Sequence, residues 1–462
     1  MSAPINKLPP EVLALIPDFW NKHEKDQNTI ALTHVCRAWR EVFVSRPSLW
    51  ARFDCVNGEK TRIYFERSKA SPIDLSLCGK MDIRLHDPLF HIIPHATGRL
   101  KFLYVKGVMQ EDMQVITSHL SHPAPLLEHL SISCYSSPRD RYPALPSTLF
   151  NGDLSSLRKL RLETVRTELP WRNMVNLTSF TLSFTPPGAV SVGRLLDFFE
   201  SAPYLEKIKL HFATPTTSAQ NGRFVSLACL KRIHIDGDGP SSSSVLLEHL
   251  LIPVGAKLEI WVDLPGPLIR DHLPRSLDNL KNFSNFTAIK LPTNEYHPRV
   301  SFSGPNGQVD INLRSFRVDS TDLTLESLRE FDTSKIKRLE IDNGNLPSGE
   351  SVYQALLLMK NLRTLTLFKC DTPQVFIRAL QPAMSSPEVM VCPKLEEVVL
   401  VLDLHEETPD ITDFIKMAAA RASRGEKLRT IRIVEGQGKA DLDVSELRKH
   451  VWNVEYGPGV GL

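Results

Sequence analysis

One phrase, apolar-x-x-apolar-x-apolar, returns from Leu100 almost to the end of this chain. Such recurrence restricts the fold more than composition does, because each copy must build the same small unit. Copies begin at Leu100, Leu127, Leu157, Leu177, Leu205, Leu230, Phe286, Leu313, Ile336, Leu362, Leu395 and Leu428, with weaker ones at 257–264 and 451–456. They recur at intervals of about 20 to about 33 residues. Helix-like runs separate them, at 192–199, 245–251, 325–331, 352–359, 376–380 and 411–422. Strand then helix, repeated, predicts parallel strands joined by helical crossovers. The expected fold class is therefore α/β, an irregular solenoid over 99–462 with strands on one face and helices on the other. The segments 213–223, 237–244 and 294–308 read as long inserts.

Strand periodicity turns the leucine positions of each copy inward and leaves the intervening residues on an open face. In successive copies those residues are Phe102, Tyr104 and Lys106; His129, Ser131 and Ser133; Lys159, Arg161 and Glu163; Ser179, Thr181 and Ser183; Lys207, Lys209 and His211; Arg232, His234 and Asp236. Lys159, Arg161, Lys207, Lys209 and Arg232 make a basic group. Like charges side by side cost energy, and an anionic ligand would compensate them. They are the candidate target-binding residues, for an acidic or phosphorylated segment of a protein. The alternative is a solvated face whose charges pair with the inserts. Arg317 and Asp319 are expected beside Arg338, Glu340 and Asp342, where mixed signs predict cross-strand pairing.

Ahead of the repeats, Leu8-Pro9-Pro10-Glu11 is a helix start: proline in the first turn loses an amide that would be unpaired anyway, and the acid meets the positive end of the helix dipole. Pro17 ends that helix, 21–28 reads as a loop, and a second helix is expected from about Thr29 with an apolar stripe of Leu32, Val35, Cys36, Trp39, Val42 and Phe43. Arg46 to Trp50 adds a turn and an apolar wedge. So small a unit buries little surface and needs a neighbour. Residues 57–98 read as a linker and capping layer, with a helix near 61–68 and a strand near 72–77.

The segment 1–56 resembles an F-box: Leu8-Pro9-Pro10-Glu11, Val35-Cys36-Arg37-Ala38-Trp39-Arg40 and Leu49-Trp50 match the family pattern in order and spacing. Glu66-Arg67-Ser68 followed by a strand is similar to F-box proteins abundant in basidiomycete fungi. The repeated phrase resembles the leucine-rich repeat, although the family's asparagine or cysteine at the ninth position recurs convincingly only at Cys370. The F-box resemblance implies docking on the Skp adaptor of a cullin-RING ubiquitin ligase, with contacts by Leu8, Pro9, Val12, Leu13, Ile16, Leu32, Val35 and Trp50. Together the two resemblances imply a substrate receptor, or alternatively a scaffold that binds the adaptor for non-degradative assembly.

Other signals argue by exclusion. A net charge of +2, from 55 basic and 53 acidic residues, supplies no field to gather nucleic acid or an anionic membrane. No segment has the roughly eighteen consecutive apolar residues of a membrane span, and the start lacks a secretory pattern. A cytoplasmic or nuclear protein is expected. Seven cysteines without a Cys-x-x-Cys pair read as reduced, buried residues. Motifs of zinc hydrolases, serine hydrolases and kinases are absent from the sequence, as is a phosphate loop, so no catalytic residue, metal or cofactor is expected. The Gly457 to Gly461 tail reads as frayed.

Overall fold

The computed structural model describes residues 8–19, 25–55, 57–79, 87–135, 142–168, 171, 173–186, 189–213, 215, 222–237, 240–264, 272–281, 285–292, 299–315, 325–326, 328–342, 348–368, 373–381, 390–402, 411–435 and 443–458. The chain is mixed α/β with a predominantly parallel sheet, and it divides into two compact units, Met1–Asn221 with Val225–Cys229, and Gly222–Phe224 with Leu230–Leu462.

The first unit opens with α1 (Pro10–Leu15), α2 (Lys25–Thr33) and α3 (Arg37–Val44). Pro10 sits in the first turn of α1 and Glu11 follows it; Pro17 bars further α-helix, so the chain tightens into a 3-10 turn over Ile16–Phe19. The expected loop at 21–28 is partly helix, since α2 starts at Lys25, and the expected single second helix is two. Cys36 breaks it in an extended conformation, φ −160° and ψ 175°. At the break Arg40 Nε donates to Thr33 O at 2.9 Å, which satisfies one carbonyl at the end of α2, and the Arg40 amide bonds Cys36 O to open α3. It also lets Leu32 of α2 meet Trp39 and Phe43 of α3 and Leu13 of α1 in one small core, edged by Ile16, Cys36, Val42 and Leu49.

Strands β1 (Arg52–Asp54), β2 (Ile73–Cys78), β3 (Leu100–Val108), β4 (His129–Cys134), β6 (Lys159–Glu163), β8 (Ser179–Ser183) and β9 (Lys207–His211) then pair in that order, all parallel. A two-residue pair, β5 (Ala144–Leu145) and β7 (Arg166–Thr167), lies outside this sheet, and β10 is Val225–Ser226. Registers put like with like. Leu103, Leu130, Leu160, Phe180 and Ile208 form one buried row and Val105, Ile132, Leu162, Leu182 and Leu210 the next. At about 1.5–3 kcal/mol for each buried side chain, these two rows are a main source of cohesion. The leading leucine of a copy closes a turn before its strand: Leu127, Leu157, Leu177 and Leu205 donate their amides to Ala124, Leu154, Met174 and Ala202. Helices α4 (Gly58–Ser68), α5 (Asp87–Ala96), α6 (Gln110–His119) and α7 (Val192–Ser201) supply the crossovers, with Phe198 of α7 packed 4.4 Å from Phe180.

In the second unit the strand order is β11 (Arg232–Asp236), β13 (Lys257–Leu264), β16 (Gly307–Ser315), β15 (Arg299–Gly304), β14 (Ala288–Pro292), β17 (Arg338–Asp342), β18 (Thr364–Phe368), β19 (Glu397–Val401), β20 (Thr430–Glu435) and β21 (Asn453–Pro458). All neighbours are parallel except β15, which runs against both β14 and β16. This corrects the sequence reading in two places. Part of the expected insert at 294–308 is a strand of the sheet, and the copy placed at Leu313 is displaced: Val309 and Ile311 occupy the buried positions, opposite Leu258 and Ile260. The cause is a hairpin, Gly304-Pro305-Asn306-Gly307, whose two central residues reverse the chain. Helices α8 (Pro240–Glu248), α9 (Gly349–Leu358), α10 (Pro373–Ala379), α11 (Thr412–Ser423) and α12 (Ser445–His450) complete the unit, with β12 at Leu250–Leu251 where helix was expected. Gly457 and Pro458, read as tail, belong to β21. No helix among the described residues is long and apolar enough to cross a membrane.

Candidate functional site

Two surfaces of the first unit carry all the candidate residues except Arg232. On the amino-terminal helices, Leu8, Pro9, Val12 and Val35 are exposed, Val12 at 44% and Val35 at 55%, and Ile16 is half-buried. Leu15 and Ile30, which the sequence reading left out, are exposed as well. Leu13, Leu32 and Trp50 differ. Leu13 and Leu32 belong to the small core, and Trp50 is 1% exposed. Its indole donates to Phe43 O at 2.9 Å, its ring meets Tyr64 edge-on at 5.0 Å, and the Arg67 guanidinium lies 4.4 Å above it. These three residues therefore hold the module together and fasten it to α4, and they offer no free surface. Their apolar character signalled burial, and sequence alone did not say against what.

The second surface is the open face of the sheet. Register confirms the alternation: Lys159, Ser179 and Lys207 form one row across β6, β8 and β9, and Arg161, Thr181 and Lys209 the next. All four cations are exposed. Glu163 holds Arg161 at 2.9 Å, whereas among the described residues no carboxylate pairs with Lys159, Lys207 or Lys209. Three ammonium groups without a carboxylate partner among the described residues thus surround a strand of hydroxyl side chains. Arg232 is exposed on β11, in the second unit.

Toward β3 the same rows become aromatic. Phe102 and Tyr104 stack nearly parallel, 5° between planes, and Phe102 meets His129 at 4.4 Å. Burial, then the neighbouring Lys159 charge, pushes the His129 imidazole below its usual range. At the exits of β6, β8 and β9, Thr164, Phe184 and Phe212 adopt positive φ of 58°, 51° and 46°, which side chains of this bulk rarely accept. The gain is continued pairing, since Thr164 donates to Ser183 O and Phe184 to His211 O. Backbone bonds here do the work expected of an asparagine ladder; Cys370 lies outside the described residues.

In the second unit, polar residues of β11, β13 and β16 pair across the strands. His234 lies 3.5 Å from Glu259, and Lys257 Nζ reaches buried Asp310 at 2.6 Å. The hydrogen bond from His234, assisted by the charges of His234 and Lys257, holds the Glu259 carboxyl at about 2 against the opposing effect of burial. In the mixed-sign region a cross-strand pair does form. Glu340 meets Lys290 of β14 at 3.7 Å and Arg338 at 3.9 Å, while Arg317 and Asp319 lie outside the described residues.

No protein-family model matches the chain, and no curated protein sequence matches it.

Proposed function

We propose that this chain is the substrate-recognition subunit of an SCF-type cullin-RING ubiquitin ligase, non-catalytic itself. Its amino-terminal helices, read as an F-box, grip a Skp-family adaptor, and its repeats, read as leucine-rich repeats, present a target protein. The observation that carries the reading is the motif set Leu8-Pro9-Pro10-Glu11, Val35 to Arg40 and Leu49-Trp50 on a folded helical module that leaves Leu8, Pro9, Val12 and Val35 uncovered. Exposed aliphatic residues on so small a module are the natural contacts of a partner. The gripping set is correspondingly Leu8, Pro9, Val12 and Val35 with the rim of Ile16; Leu13, Leu32 and Trp50 support it from below. The exposed cations on β6 and β9 suit an acidic or phosphorylated target. Bringing a target lysine close to an activated thioester accelerates transfer by proximity and requires no reactive group here.

The test is co-purification of adaptor and cullin with the full chain, compared with Val12→Asp/Val35→Asp. Capture of both, lost in the variant while its thermal melt is unchanged, supports the reading. Capture of adaptor without cullin supports the non-degradative scaffold, and capture of neither removes both.

A further inference from the structure

Side-chain size on the open face of the first unit alternates from strand to strand. At two successive levels β3 carries Tyr104 and Lys106, β6 carries Arg161 and Glu163, and β9 carries Lys209 and His211. Between them β4 carries Ser131 and Ser133, and β8 carries Thr181 and Ser183. The face is therefore ridged: three strands of long side chains enclose two furrows floored by hydroxyls. Neighbouring strands are about 4.8 Å apart, so ridges, and equally furrows, recur every ~9.6 Å.

The two furrows differ in chemistry. The β8 furrow has Lys159 and Arg161 on one bank, Lys207 and Lys209 on the other, and Ser179 and Thr181 on its floor. Glu163 offsets Arg161 alone. An anionic group seated there would lie about one strand spacing from each bank. The β4 furrow is filled by His129 at the level of Phe102, whose ring it meets at 4.4 Å; at the next level it is open, with Tyr104 on its far bank and Ser131 on its floor, and there it suits a ring or a proline.

A ligand that uses both furrows must repeat its side chains at the same interval. An extended β-strand presents one face every two residues, about 6.7 Å, and falls out of step. A polyproline II segment presents one face every three residues, about 9.3 Å, and stays in step over two furrows. We infer that this face reads a polyproline II segment crossing the strands, with an aromatic residue or proline over β4 and an acidic residue three positions away over β8. The inference deepens the proposed receptor role by naming the target's local chemistry, and it rests on the first unit alone.

The test uses the full chain and fluorescent peptides on a proline backbone that carry one tyrosine and one aspartate two, three or four positions apart, with binding read by anisotropy. The three-residue spacing binds best, about fivefold over either neighbour, the size of effect that one additional ion pair at a surface supplies. Lys207→Ala/Lys209→Ala removes the dependence on aspartate, and Tyr104→Ala the dependence on tyrosine. Thr181→Leu fills the β8 furrow without changing charge and weakens binding, whereas simple charge attraction predicts no effect. Equal affinity for all spacings, indifference to Thr181→Leu, or tighter binding of a single-stranded oligonucleotide overturns the inference. None of these measurements involves the adaptor, so their failure is separable from failure of the receptor role.

Discussion

Replacing Trp50 with alanine separates support from contact at the amino-terminal module. Trp50 is buried to 1%, bonds Phe43 O at 2.9 Å, and packs on Tyr64 and under Arg67. Truncating an aromatic residue in such a position costs about 3–5 kcal/mol, a figure that already includes the cavity left behind. The lost indole bond contributes about 1 kcal/mol of it, Phe43 O keeping the Arg46 amide. Among the described residues the core it buttresses has four buried hydrophobic side chains, Leu13, Leu32, Trp39 and Phe43, a small set to absorb that loss. Native-state hydrogen exchange of α3 amides, such as the Arg40 amide bonded to Cys36 O, reads the opening directly. At tenfold per 1.4 kcal/mol, exchange accelerates by roughly two to four orders of magnitude. Trp50→Phe keeps most of the burial and accelerates it far less. If α3 exchanges at the parent rate in Trp50→Ala while adaptor binding is lost, Trp50 is a contact residue and the argument from burial is wrong.

Three further outcomes follow from particular side chains. Arg421 is fully buried and donates to Val391 O at 3.0 Å and Cys392 O at 2.9 Å, so Arg421→Met removes the guanidinium donor from Val391 O and leaves Cys392 O with the Leu395 amide alone, destabilising the second unit by about 1–3 kcal/mol, measured by urea unfolding. Because the Glu259 carboxyl is held at about 2 against an ordinary 4.5, its contribution is complete above pH 4.5 and is lost as pH falls toward 2; Glu259→Gln therefore flattens the pH dependence of stability over that window. Burial pushes the Cys134 and Cys392 thiols up to about 12, and that of Cys55 higher still, while Cys229 is exposed. A thiol reagent at pH 8 should thus modify Cys229 and leave those three until the chain unfolds, as mass spectrometry of labelled peptides would report.

Much of the strand arrangement was legible in the sequence because one phrase carries both halves of the physics. Its leading leucine closes a turn and its next two apolar residues enter the core, so β4, β6, β8 and β9 each start two residues after Leu127, Leu157, Leu177 and Leu205. The hairpin between β15 and β16 escaped because its strands carry the repeat's composition out of phase; Asn306-Gly307 was the available signal. Helix α5 escaped for a different reason. Pro94 lies inside it, and a proline within an apolar run reads as a break until packing overrides propensity. For the amino-terminal site, motif spacing located the module and left open which apolar residues face out. A stripe at helical spacing serves core and partner alike, and only the break at Cys36 and the seat of Trp50 against Tyr64 divided Val35 from Leu32. On the sheet face, alternation yielded the cation rows directly. Ridge and furrow required the register, because no strand carries that information alone.

The most direct test of the central claim is calorimetric titration of a purified Skp-family adaptor into the full-length chain and into Val12→Asp/Val35→Asp. An adaptor-gripping module gives saturable one-to-one binding to the parent chain and none to the variant, with both chains melting at the same temperature. Equal binding to the two, or no heat from the parent chain, would contradict it.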